Sequence, residues 1–397
     1  MSYYPSPPLP DGRRRVLVFS YDQRRWLPAG TVKVDISGDG TILSTSADPK
    51  DDRVEVPFYP PRACFPSSVA TARRSELTEV DRLNCDEDLV TYSPSPGETR
   101  KVVMRSYFKA SAGPGWWHET NCIMRIPRHP NIVPFDALVI DTVGGVDRAV
   151  GFTTLTARIT EEPLSLNTGC VFKLKYLEQL IDAVDHLNLG SGIVHGAVTA
   201  FNLLIDPATD SIQLYNFKEA AKLGWEGDED YFFFEYDKRR NDVKFVVLTV
   251  YDIITRQLRL NEDYREPRRL DAATFLRKRK WEKHRSVKLD KPVDDYRRLV
   301  SAWAKRRAVT DARVDHFTKA SQPLSWPSLR VDPDMLDESF GFKKPGKLRR
   351  ELVELGKDFL KWERPPGSAM PPPKGKRSLS TGEVVDDDAS DGASAAT

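Results

Sequence analysis

His195 and Asn202 frame the stretch GIVHGAVTAFNLLID, residues 192–206. An apolar pair leads into the histidine, and an apolar strand follows the asparagine. Histidine changes charge near neutral pH and can move a proton, and an amide oxygen can help to hold a hard cation. A loop built this way should carry an acid and a base between its ends. Here the intervening residues are Gly196, Ala197, Val198, Thr199, Ala200 and Phe201, and none of them ionises. The other histidines show no metal-ligand spacing such as H-E-x-x-H.

The elements around this loop can be read from residue patterns. Upstream, RVLVFSY and TVKVDI read as strands, and SGDGT (37–41) reads as a hairpin turn before TILSTS. VEVPFYPPRACFP, with its four prolines, predicts an extended linker. DLVTYS and KVVMRSYF flank the turn-rich PSPGET and predict an antiparallel pair. WWHETNCIMRI predicts a short helix stopped by Pro127, and PFDALVID with DRAVGFTTL predicts a further strand pair around TVGG. From about residue 168 the period becomes helical. Leu174, Leu177, Ile181, Val184 and Leu187 share one face, and Gly190 and Gly192 mark the helix end. NLLIDPATDSIQLYNF reads as two short strands around a turn. DVKFVVLTVYDIITR, 290–307 and 344–362 read as helices. Strands precede helices, an order that indicates α+β.

Four ordered landmarks make the chain resemble the eukaryotic protein-kinase superfamily, in particular a kinase-like family of filamentous fungi. HGAVTAFN keeps the first and last residues of the kinase catalytic loop H-R-D-L-x-x-x-N at their spacing. YNFKEAA follows where D-F-G would stand. HPNIVPF (129–135) looks like the segment after the regulatory helix, and DVKFVVLTVYDIITR looks like the long buried helix of the large lobe, with Asp242 and Tyr251 in register. The resemblance implies a two-lobed α+β kinase-like fold over 75–325, with a β-rich N-lobe at about 75–155 and a helical C-lobe at about 156–325. Around it are expected a disordered 1–14, a small β-rich extension at 15–70, a C-terminal helical extension at 326–364 and a disordered tail at 365–397.

The same resemblance exposes what is missing. Phosphoryl transfer needs positioned metal ions, a lysine on the phosphates and a carboxylate that takes the hydroxyl proton. Ala197 stands at the position of that carboxylate, and Thr199 at the position of the lysine two residues later, so no catalytic residue is intact. A general base contributes roughly 10²–10⁴-fold, none of which a methyl group supplies. Asn216 replaces the D-F-G aspartate, which leaves Asn202 and Asn216 as a weak magnesium site. VVMR places Arg105 where the phosphate-binding lysine belongs, with Glu119 as its ion-pair partner. By the resemblance, ATP, with or without magnesium, would bind at Arg105, Glu119, Asn202 and Asn216. No G-x-G-x-x-G precedes Arg105, and SPSPGET is the expected phosphate-covering loop. Gly196 replaces the arginine that would receive an activating phosphate, and the stretch from Asn216 to Asp242 holds no Ser or Thr. Its only side-chain hydroxyls are Tyr231 and Tyr236. In this frame His195 is a packing residue in a column with Phe217 and Ile123.

Composition narrows the partners. Sixty basic and 58 acidic residues leave a net charge of +2, so no global field draws in nucleic acid or a membrane surface. The run RKRKWEKHR (277–285) reads as a solvated helix face, and YFFFEY (231–236) as a loop anchored on the core. Cys64, Cys85, Cys122 and Cys170 are widely spaced, as suits reduced thiols in a cytoplasmic or nuclear protein. The expected function is that of a pseudokinase that acts through protein partners or allosteric scaffolding. The alternative is an atypical active Ser/Thr kinase, and a third class is a helical adaptor unrelated to kinases.

Overall fold

The computed structural model describes residues 55–83, 87–107, 113–155, 171–206, 208–224, 242–258, 270–337 and 344–360, together with short strands nearer the two ends. The expectations for YFFFEY, Tyr231, Tyr236, Cys85 and Cys170 lie outside the described residues.

Near the start, β1 (Ser2–Pro5), β2 (Arg14–Phe19), β3 (Val32–Ile36) and β4 (Ile42–Ser46) form a four-stranded antiparallel meander. The SGDGT stretch joins β3 to β4, where its turn residues put it. Ser2–Pro5, inside the stretch expected to be disordered, pairs with Val16–Phe19. The proline-rich segment that follows is not a linker. After β5 (Glu55–Pro57), Phe58, Tyr59 and Phe65 are buried in the main core. Prolines limit regular structure here to a short 3-10 turn, Arg62–Cys64, but large aromatic rings between them still gain by leaving water. Arg62 folds back to donate to the carbonyls of Phe65, Ser67 and Val69.

The main sheet is built from β6 (Thr71–Arg73), β7 (Thr78–Arg82), β8 (Glu87–Ser95), β9 (Glu98–Ser106), β10 (Phe135–Val143) and β11 (Val146–Thr154), with α1 (Gly113–Arg125) between β9 and β10. Their spatial order is β6-β10-β11-β9-β8-β7, antiparallel throughout except for the parallel β6–β10 contact. In β8, Asp88, Val90 and Tyr92 point inward and the residues between them are less buried, the period of a strand with one face on a core. β9 turns from exposed to fully buried at Val102 and remains so through Ser106. Gly151 lets β11 approach β9: a Cβ there would lie 2.1 Å from the Arg105 carbonyl oxygen.

The rest is helix-rich. It comprises β12 (Val171–Phe172), α2 (Leu174–Asp185), β13 (Ile193–Val194), β14 (Leu203–Asp206), β15 (Ser211–Leu214), β16 (Ala221–Lys222), α3 (Asp242–Thr255), α4 (Ala272–Arg277), β17 (Lys288–Leu289) and α5 (Val293–Asp311). Leu177, Ile181, Val184 and Leu187 are buried, as their spacing predicts. A wider turn continues α2 to Ser191, and Gly192 closes it at φ 70°. α3 is apolar nearly all round and buried along most of its length. The basic run 277–285 is not a helix face, because α4 ends at Arg277. Trp281 is buried instead, its indole donating to the Phe275 carbonyl, while Lys278 lies over the Tyr251 ring.

Beyond α5 come β18 (Leu336–Asp337), β19 (Lys344–Leu348) and α6 (Arg349–Glu354). The helix expected over 344–362 is thus reduced to its middle. Pro345 and Gly346 are poor helix residues, and β19 pairs with β5. A final hairpin, β20 (Lys376–Ser378) with β21 (Val384–Asp386), lies in the tail. The class is α+β, and one continuous core links the main sheet to the helices. Among the described residues no helix is long and apolar enough to cross a membrane.

The close β9–β11 approach has a measurable consequence. Gly151→Ala forces a methyl group into backbone and should cost about 1–3 kcal/mol in urea denaturation, the usual range for overpacking. A change within error would mean that the strands separate freely at this point.

Candidate functional site

The loop between β13 and β14 is shaped by backbone hydrogen bonds and by one helix. Its histidine is completely buried. Nε2–H of His195 donates to the Tyr215 carbonyl at 3.0 Å, and the Ala197 N–H donates to Nδ1 at 3.3 Å. A carbonyl only accepts, so Nε2 carries the hydrogen and Nδ1 is free to receive. The ring is therefore neutral with both nitrogens in use. Burial holds its pKa below the ordinary histidine value, against the opposing pull of Asp242. The Phe217 ring meets it edge-on at 4.8 Å. Phe217 and Ile123 belong to the same core, so the three residues of the expected column are all buried, with His195 against Phe217.

Asp242, the first residue of α3, organises the loop's entry. Its Oδ2 accepts from the His195 N–H and from the Asn188 side-chain amide, both at 2.8 Å, and its Oδ1 accepts from the Gly196 N–H at 2.9 Å. Asn188 in turn accepts from Arg307 of α5 at 2.8 Å, and Arg307 also binds Asp185 and Asp311. A buried carboxylate is costly unless its lone pairs are filled. Here backbone donors fill them, and a cation stands one residue away. Gly196 sits at φ 77°, and a Cβ there would lie 2.3 Å from the Glu219 carbonyl oxygen. No side chain fits at that position.

Farther along, the polar groups bind one another. Asn202 donates through Nδ2 to the Ala197 carbonyl at 2.7 Å and accepts through Oδ1 from the Asn216 amide at 2.9 Å. Asn216 adopts a left-handed conformation, φ 66° and ψ 73°, which asparagine tolerates better than most residues. Its Oδ1 is buried and has no hydrogen-bond partner among the described residues. Ala197, Thr199 and Asn202 are all buried, and the Thr199 hydroxyl likewise has no partner among the described residues.

Arg105 lies across the sheet on β9 and is also buried. Its guanidinium reaches Glu119 of α1 at 3.2 Å, the pair expected from the sequence. It also binds Glu87 at 2.6 Å, a residue that sequence reasoning missed. Glu87 stands opposite Arg105 in the β8–β9 register, a relation visible only once the strands are paired. The same register corrects the expected phosphate-covering loop. SPSPGET forms the β8–β9 turn, at the far end of the strands from Arg105. Two carboxylates, those of Glu87 and Glu119, hold the Arg105 guanidinium.

The asparagine pair offers a cation two neutral amides and no carboxylate. A hard cation prefers charged oxygen ligands, and the Asn202 oxygen is already engaged. Among the described residues no cluster of three or more His, Cys, Asp or Glu could hold a metal.

Two outcomes test this geometry. Asp242→Ala should cost about 3–5 kcal/mol, because it leaves buried donors unpaired. Loss of less than about 1 kcal/mol would show that water replaces the carboxylate. The second concerns pH. Because the folded-state pKa of His195 is depressed, the unfolded chain takes up the proton first as pH falls. Its contribution is fully present above about pH 6.5, the unfolded value, and is lost below it toward the folded value. The urea midpoint should fall between pH 7 and 5, and His195→Gln, though less stable at pH 7, should fall less steeply. Equal slopes would remove His195 as the cause.

No protein-family model matches the chain, and no curated protein matches it either.

Proposed function

We propose that this chain is a kinase-like protein of two lobes, about 75–155 and 156–325, that has lost phosphotransfer and works by binding protein partners or as an allosteric scaffold. Two features support the kinase-like part of this reading. The strands β10-β11-β9-β8-β7 form a sheet with a helix inserted between β9 and β10. An aspartate at the start of a buried helix anchors the backbone of the H-x-x-x-x-x-x-N loop.

One observation carries the loss of catalysis: the amide and guanidinium donors at the motif positions are bonded to protein acceptors. Asn216 donates to Asn202 at 2.9 Å, in the position where the resemblance would put a metal ion between two ligands. Arg105 is held by Glu87 and Glu119. Ala197 is buried and supplies no base. Phosphotransfer depends on positioning and charge, and neither is free here.

A second reading, an atypical active Ser/Thr kinase, is favoured by one atom. Asn216 Oδ1 is buried without a partner among the described residues and could accept a bond from a ligand. Calorimetry of the full chain with ATP and magnesium separates the two. The pseudokinase reading expects no magnesium-dependent binding at millimolar nucleotide, no autophosphorylation and no rescue by Ala197→Asp. Turnover in the wild type that disappears in Asn202→Ala would establish the active kinase instead.

A further inference from the structure

The segment after α5 has no helical or strand period, yet it is bound along its length. The Phe317 N–H donates to the Leu223 carbonyl at 2.7 Å. Ser321, Gln322 and Leu324 donate their N–H groups to the carbonyls of Leu189, Gly190 and Ser191 at 3.0, 2.8 and 3.0 Å. The first part of the segment is a short 3-10 turn, Phe317–Lys319, and the N–H groups that follow it bind the turn that opens onto the His195 loop. Two glycines make room for them. A Cβ on Gly192 would lie 2.7 Å from the Phe317 carbonyl oxygen, and one on Gly224 would lie 2.5 Å from that of Asp315. Both glycines have positive φ, 70° and 69°, so backbone shape and clearance require the same residue.

Side chains anchor the two ends. Lys222 is buried and donates to the Trp326 carbonyl at 3.0 Å. Its ammonium lies 4.7 Å from the Trp326 ring and 5.2 Å from the Phe317 ring, within cation–π range of both. Beyond it the segment reaches α1. The Trp326 indole donates to His118 Nδ1 at 3.2 Å, and the Trp117 indole donates to the Pro327 carbonyl at 3.0 Å. Exposure is one-sided: Ala320, Trp326 and Leu329 are buried, while Ser321, Gln322, Pro323, Ser325 and Pro327 face solvent. A non-regular segment held by main-chain bonds and aromatic anchors, with its other side in solvent, is bound much as a peptide ligand is bound.

We propose that residues 315–327 are a strap seated in cis in a peptide-binding groove, formed by 189–192, 222–224 and the Trp117–His118 turn of α1, and that this seating fixes α1 against the His195 loop. The occupant is this chain's own aromatic segment. The position of Glu119, and with it the Arg105 pair, then depends on the strap and not on a ligand. This inference stands apart from the pseudokinase reading, since an active enzyme with the same strap would be held in the same way.

Cys122, on α1 and completely buried, is a native reporter, and exposed Cys64 is its internal reference. The full chain is treated with iodoacetamide under native conditions, and each thiol is followed by peptide mass spectrometry. Trp326→Ala and Lys222→Met should each raise the Cys122 rate about tenfold or more by local opening, with Cys64 unchanged. Hydrogen exchange should show lost protection in α1 and retained protection in α3, and Lys222→Arg should restore most of it. If Cys122 stays protected in both variants, the strap does not hold α1. If α1 and α3 open together, the segment is ordinary core and the proposal fails.

Discussion

The carboxylate of Asp242 is the constraint on which the described structure turns. It sits at the first turn of a helix buried along most of its length, where a negative charge is favoured by the helix dipole. Three donors converge on it: two successive loop amides and the Asn188 side chain. Because the two amides belong to His195 and Gly196, the carboxylate dictates the backbone path into the loop. That path aims the imidazole at Tyr215 and Phe217, and it puts Ala197 within reach of Asn202. Asn188 passes the same constraint to Arg307, so α2, α3 and α5 are joined through polar groups beneath their apolar contacts.

A site that acts on a ligand keeps polar groups in reserve. The asparagine pair and the Arg105 triad commit amide and guanidinium donors to protein acceptors, while Asn216 Oδ1 has no partner among the described residues. The buried ion pairs need not add net stability, because desolvation offsets much of their attraction. Their effect is on specificity, as a half-satisfied set of buried charges would be costly. The backbone of the loop is therefore shaped by bonds within the protein.

Local periodicity made most elements legible. The spacing of Leu177, Ile181 and Val184 gave α2, the turn residues around 37–41 and 144–145 gave two hairpins, and the apolar run from Val243 gave α3. His195, Phe217 and Ile123 were legible as core residues because a motif fixed their spacing. What escaped depended on partners distant in sequence. Glu87 joins Arg105 only through strand register, which also sets SPSPGET at the far end of the strands. Lys344–Leu348 became a strand because β5 offered an edge. Phe58 and Phe65 are core residues although the prolines near them spoke for a linker. The 315–327 segment lacks any period, and its only sequence signal was the pair Gly192 and Gly224, whose need for space appears once the segment lies over them.

The departures at the loop are linked to one another by geometry. Gly196 has to lack a side chain because the Glu219 carbonyl lies where a Cβ would stand. Glu219 is there because the 217–219 turn follows Asn216, whose left-handed backbone directs the chain toward the loop. The same backbone sets the Asn216 amide on Asn202, and Asn202 then closes onto Ala197. Each residue at a motif position thus sets the conditions for the next. An aspartate at 216 would lose the amide donor and put an anion beside the Asn202 oxygen, a repulsion that a cation between them or a proton on the carboxylate would relieve. The neutral pair needs no such ion. A loop whose parts complete one another in this way is a settled structure, in which replacing one residue removes a hydrogen bond or a clearance that the next one needs.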